Sequence, residues 1–279
     1  MRSDGIKVHD DQAMYELIPH FLTTRNDAMN MVTVDIPEEP LRLYMNEKRK
    51  SGVRISHLAL IICAYNRVIA EFPKLNRFIS GNRKIFQHKD VTVSMVVLRP
   101  ASVDDTMSKV VLDPTDTIFD VQNKMDQYIA ENRKPQDNGL DGVMRFFIHL
   151  PLLMNFVLGM VRFLDKHGML PKALIKVSPF HASFLISNLA SIRTNHIYHH
   201  VYNFGTTSVG ITMGNMRYIP HVARDGSVVV ERCLPLGVVM DERICSGHYF
   251  ALAFARMKEY LRNPALLETP YCPPADTAE

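Results

Sequence analysis

The sequence predicts an α/β protein in which helices cover one face of a mixed sheet, all in one domain. Three observations lead there. Residues 55–73, "ISHLALIICAYNRVIAEFP", place Leu58, Ile61, Ile62, Tyr65, Ile69 and Phe72 at helical spacing. Residues 91–98, "VTVSMVVL", form a run of β-branched residues suited to a strand. The second half alternates short strand-like runs with turns and closes on a long amphipathic helix.

Each element has a local reason. Ser56 is placed to cap the helix of residues 55–73, and Pro73 lies past its end. Residues 113–135 open on capping residues, carry Ile118, Val121, Met125 and Ile129 on one side, and stop at Pro135, which reads as a surface helix. Strands are expected at 183–188, 206–213, 227–234 and 235–240. Asp225-Gly226 suits a hairpin turn, because glycine tolerates the positive φ that such turns need. The last helix is expected from near Gly247 to Asn263-Pro264, with Phe250, Ala253, Phe254, Met257 and Leu261 facing the sheet. One domain is expected over residues 1–264, with a helical insertion at about 141–180 and an irregular tail over 265–279.

The formal net charge of +3 is too mild, and Lys and Arg too scattered, for a nucleic-acid face. The four cysteines, Cys63, Cys233, Cys245 and Cys272, include no CxxC pair, which argues against a disulfide framework or a zinc site. The N-terminus lacks the apolar stretch of a signal peptide, so a reducing, cytoplasmic setting is the expectation. Residues 144–164, "MRFFIHLPLLMNFVLGMVRFL", are densely apolar. Pro151 and Arg162 interrupt them, and Asp165-Lys166 closes them. Three readings stay open here: a buried or partner-facing helix, an interfacial membrane helix, and a spanning helix. Residues 141–176 are expected to form two helices joined near Gly168-Met169-Leu170-Pro171, with apolar surface left over.

The stretch "DERICSGHYF", residues 241–250, joins the last strand to the last helix. Asp241, Glu242, Arg243, Ser246 and His248 gather there around Gly247, which suits either a capped helix start or a chemical site. "HIYHH", residues 196–200, could place two histidines on one helical face, but no cysteine or acid stands nearby to complete a metal site.

The order strand, Asp-x-Arg-x-x-x-Gly, long terminal helix and "NPALLETP" resembles the C-terminus of dihydrolipoyl acyltransferase catalytic domains. These are the cores of 2-oxo acid dehydrogenase complexes, related in fold to chloramphenicol acetyltransferase. Upstream, "FLISNLASI" (184–192) resembles that family's Ile-Ser strand. "EFPKLNRFISGNRKIFQHKDVTVSMVV" (71–97) resembles its Pro-x-Leu-Asn segment, and "LIPHFLTTRNDAMNMVTVDI" (17–36) its first Ile-Pro-His strand. The resemblance implies a two-layer chloramphenicol acetyltransferase-like sandwich, a homotrimer with its tunnel between subunits, and coenzyme A or an acyl-CoA as substrate beside a small acyl acceptor, with no metal. It also implies three roles. A histidine takes the thiol proton, an acid four positions later orients the site, and a serine of the neighbouring subunit hydrogen-bonds the oxyanion.

Carried over by position, the serine becomes Ser187, the histidine falls on Glu242, the acid on Ser246 and the glycine on Gly247. A carboxylate of pKa about 4.3 is roughly a hundredfold weaker as a base than imidazole at about 6.5, equivalent to about 3 kcal/mol. Burial of Glu242 would recover part of that difference. His248, at the start of the last helix, is the alternative base. Because this catalytic-like sequence begins almost at Met1, the lipoyl and subunit-binding domains of the complexes are expected to be missing. The expected function is a CoA-dependent acyltransferase altered at its general base. The alternative is a non-catalytic acyl-CoA-binding or scaffolding protein of the same fold. Either could be membrane-peripheral, or engage a protein partner, through residues 144–164.

Overall fold

The computed structural model describes residues 2–81, 83–98, 105–132 and 151–273. In chain order the elements are β1 (Gly5–Lys7), α1 (Ala13–Phe21), β2 (Met29–Pro37), α2 (Glu38–Lys50), α3 (His57–Glu71), β3 (Arg77–Ser80), β4 (Lys84–His88), β5 (Val91–Leu98) and β6 (Asp105–Leu112). There follow α4 (Ile118–Asn132), α5 (Pro151–Lys166), α6 (Lys172–Val177), β7 (Phe184–Asn188), β8 (Val209–Met213), β9 (Arg217–Val222), β10 (Val228–Asp241) and α7 (Gly247–Arg262).

The large sheet has the order β2-β10-β8-β7-β5-β6, with β9 beside the outer half of β10. Strands β5, β7 and β8 run parallel and the other pairs antiparallel, so the sheet is mixed. Alternation along each strand sends Val34, Ile36, Phe184, Ile186, Val209, Ile211, Leu236 and Val238 into one core with the helices. The centre of that core is α3, where Ala59–Ala64 are 0–1% exposed. Each fully buried Leu or Ile there contributes roughly 1.5–3 kcal/mol. Ser56 caps α3 by accepting the Ala59 amide at 3.2 Å, as its position in the sequence predicts. In α7, Phe250, Ala253, Phe254, Met257 and Leu261 are buried as expected. A second, small sheet, β1-β4-β3, buries Phe78 outside the main core.

Three expectations need correction. Ile18-Pro19-His20 lie in α1 rather than on a first strand. Pro19 lies in the last turn of α1, where its missing N–H leaves the Tyr15 carbonyl without its helical donor, and Leu22 still closes the turn onto the Ile18 carbonyl. Residues 227–234 and 235–240 are one strand, β10, running through Pro235. The Pro235 carbonyl accepts from the Gly214 amide, so its donor-less nitrogen also faces the β8 side. On that side β9 ends opposite Cys233 and β8 begins opposite Leu236, so Pro235 falls in the gap and no ladder bond is lost. Finally, "HIYHH" has no regular secondary structure and is not helical. It crosses the sheet face opposite the helices. A Cβ on Gly237 would lie 2.4 Å from the Ile197 carbonyl, so only glycine admits the crossing.

Among the described residues the insertion forms two helices, α5 and α6, joined through Gly168, whose φ of +68° turns the chain. Residues 133–150, including the start of the apolar run, lie outside the described residues. No helix among the described residues is long and apolar enough to cross a membrane. Pro264–Leu267 form a 3-10 turn that buries Leu267, and Thr269 accepts a hydrogen bond from Arg67, so the described part of the tail packs on α3.

Candidate functional site

The inner end of β10 delivers Asp241 to a fully enclosed position, with its side chain 0% exposed. Arg243 grips it with two parallel bonds, Nε to Oδ1 at 2.8 Å and Nη2 to Oδ2 at 2.7 Å. The Arg243 amide adds a third at 3.1 Å. From the other side Arg25 brings its Nε to 3.4 Å of Oδ2 and donates to the carbonyls of Tyr202 and Gly205. Burial draws the Arg25 guanidinium below its ordinary value, and the Asp241 charge works against that. Two cations on one buried carboxylate, tied by planar bidentate geometry, make a rigid corner. The adjoining turn is fixed by Glu242 N–H donating to the Ala28 carbonyl at 2.9 Å. Ser246 then opens α7, its hydroxyl accepting the Tyr249 amide at 3.1 Å. Ser246 therefore serves as the helix cap.

Glu242 is half-buried, next in sequence to the enclosed Asp241, and its carboxylate has no ion pair among the described residues. His248 is exposed in the first turn of α7. Ser187 is half-buried near the end of β7. The register pairs Ser187 with Thr212 and Thr212 with Gly237, five positions before Glu242. At about 3.3 Å per residue along a strand and about 4.8 Å between strands, Ser187 and Glu242 of one chain stand roughly 19 Å apart. They cannot act on one carbonyl within a single subunit.

Beside the corner lies a cleft of about 930 Å³. Its walls are residues 23–25 and 202–205, the turn after β3, the C-terminal end of α5, and Arg243. None of Glu242, Ser246, Ser187 and His248 lines it. Gly205 has φ +83°, and a Cβ there would meet the Phe180 carbonyl at 2.1 Å, so this wall requires glycine. Asp165, at the end of α5, accepts from Arg2 at 2.8 Å, His181 at 3.1 Å and the Gly205 amide at 3.2 Å. Burial alone would raise its carboxyl, but hydrogen bonds and charge from His181 and Arg2 outweigh that and hold it below the usual range. Asp165 is thus neutralised within the fold. Arg83, Arg162 and Lys166, exposed on the cleft walls, have no ion pair among the described residues, so the cleft presents net positive charge.

Sequence reasoning gathered Asp241, Glu242 and Arg243 at this corner, and the structure pairs Arg243 with Asp241. It missed Arg25, which lies over two hundred positions from Asp241 and has no local signal, and the Arg2–Asp165–His181 cluster. Asp165 was legible only as the end of the apolar run.

Residues 180–269 match the family described as 2-oxoacid dehydrogenases acyltransferase (catalytic domain). A search of the curated proteins gives no match. A probable dihydrolipoamide acetyltransferase from Listeria monocytogenes 4b F2365 superposes with a TM-score of 0.58 at 15% identity, covering 92% of this chain and 94% of that one. The Azotobacter vinelandii dihydrolipoamide acetyltransferase, studied for a serine, a histidine and an asparagine in its catalytic mechanism, gives 0.61 at 13% identity and 94% of each chain. A chloramphenicol acetyltransferase gives 0.55 at 10% identity, covering 92% of this chain and 99% of that one.

Proposed function

We propose that this chain, with its chloramphenicol acetyltransferase-like fold and the acyltransferase catalytic-domain match over residues 180–269, handles acyl thioesters of coenzyme A at a site completed between subunits. The observation that carries the reading is the corner itself. Asp241, Arg25 and Arg243 are wired as a rigid mount, and the side chain next to the mount is Glu242. The roughly 19 Å between Ser187 and Glu242 supports a homotrimer in which Ser187 of a neighbour approaches Glu242. The cationic cleft, with Arg83, Arg162 and Lys166, suits the phosphates of CoA.

In this reading the Glu242 carboxylate takes the proton of the attacking thiol, and the thiolate sulfur bonds to the acyl carbonyl carbon. The negative charge passes to the carbonyl oxygen, which accepts a hydrogen bond from Ser187. Collapse expels the leaving thiolate, which recovers the proton from Glu242. A carboxylate does this more slowly than imidazole, and Ser246, committed to the helix cap, supplies no acid to orient it. The same observation favours the second reading, a protein that binds acyl-CoA without turning it over.

Release of coenzyme A from acetyl-CoA with dihydrolipoamide as the acceptor thiol, followed chromatographically from pH 5 to 9, separates the two. Slow release by the wild type is expected. Glu242→His with Ser246→Asp should raise it by about tenfold or more, and aspartate also caps a helix well, so the start of α7 should survive. Ser187→Ala should lower any release by about a hundredfold or more. Brisk wild-type turnover that persists in both Glu242→Gln and His248→Ala would place the base elsewhere and overturn the assignment.

A further inference from the structure

We propose that the α5–α6 surface docks on an anionic phospholipid bilayer. At about 100° per residue, α5 divides into three stripes. Met154, Val157, Val161 and Leu164 form the seat and are half-buried, with Asp165 buried beside them. Asn155, Gly159, Arg162 and Lys166 form a polar stripe. Between these, an arc about 100° wide points outward. It carries Leu152 at 86% exposed, Phe156 at 68%, Phe163 at 56% and Met160 at 46%. The neighbouring α6 adds Leu174 and Val177, at 48% and 70%. A helix with an apolar arc of this size beside a basic stripe matches a headgroup boundary rather than bulk water. The 16 described residues of α5 span about 24 Å, and their exposed apolar arc runs lengthwise along one side of the helix, which suits lying on a bilayer.

Charge selects the occupant. Between residues 151 and 177 the exposed charged groups are Arg162, Lys166, Lys172 and Lys176. The one acid of that stretch, Asp165, is buried against Arg2 and His181 and cannot offset them. A second copy packed symmetrically on this surface would bring those four cations against their own kind, whereas an anionic bilayer neutralises them. The surface is also continuous with the cleft, since Arg162, Asp165 and Lys166 form one of its walls. Docking would therefore set the cleft beside the headgroups. This inference does not depend on how Glu242 behaves.

The test is co-sedimentation of the full-length protein with vesicles of phosphatidylcholine alone or with about a third phosphatidylglycerol. Partitioning should occur on the anionic vesicles and weaken with added salt. Leu152→Asp with Phe156→Asp should reduce it by about tenfold or more, and so should Lys172→Glu with Lys176→Glu. Unchanged far-ultraviolet circular dichroism would establish that both variants fold. Equal recovery with both vesicle types, or binding that both variants retain, would overturn the proposal. So would an oligomer larger than the catalytic assembly that Leu152→Asp with Phe156→Asp dissolves, because a second copy would then cover the stripe.

Discussion

The corner after β10 and the helix α5 both set charge beside apolar surface, and they resolve it in opposite ways. At the corner three charged side chains, Arg25, Asp241 and Arg243, are at most 5% exposed and are closed on one another. On α5 an arc of apolar side chains faces outward, and the cations beside it have no ion pair among the described residues. The corner is completed by the chain that builds it. The helix needs a complement from outside. The difference teaches where to strike: a substitution at the corner should register in stability, and one on α5 chiefly in association.

The largest effect is expected from Asp241→Ala. It leaves two buried guanidinium groups without their shared counter-ion, and loss of one member of such a buried set costs about 3–5 kcal/mol. A fall in the urea midpoint checks it. A loss below 1 kcal/mol would mean that the carbonyls of Tyr202 and Gly205 suffice for Arg25.

Next comes acid. His88 is buried, and burial, only partly countered by Asp4, lowers its imidazole to about 4. The unfolded chain takes up this proton near its ordinary value of about 6.5. Between those values the unfolded state binds more protons, so stability is full above about pH 6.5 and falls as pH drops towards 4, by about 3 kcal/mol from this group. Urea midpoints at pH 7 and pH 4.5 should differ accordingly, and the difference should shrink in His88→Asn.

The smallest effect on stability is expected from Phe156→Asp on α5, within about 0.5 kcal/mol, because the side chain it replaces lies in solvent. Differential scanning calorimetry checks it. A large loss would show that the stripe is part of the core and would erase the contrast.

What the sequence made legible follows the same division. The helix of residues 55–73, its Ser56 cap, strand β5 and the buried face of α7 carry periodic apolar patterns, and all stand where those patterns put them. Strand β9 was not legible, since its ribbon is exposed on both faces and leaves no alternation to read. Pro235 disguised one strand as two, because the gap that tolerates it exists only once β8 and β9 are in place. At the site, the cap role of Ser246 was readable from its position before a helix. The roughly 19 Å between Ser187 and Glu242 was not, because it depends on how far each strand slides along its neighbour.

One feature of β10 reaches beyond the site. Val228–Arg232 pair with β9 alone and are largely exposed, while the inner residues to Asp241 lie against β2 and, over Leu236–Met240, β8 as well. A two-stranded ribbon is barely stable by itself. Amide hydrogens of the outer half should trade with solvent through local fraying, and those of the inner half only when the whole sheet opens. A single unbroken strand therefore carries a gradient of opening free energy, from near zero at the hairpin tip to the global value at the corner.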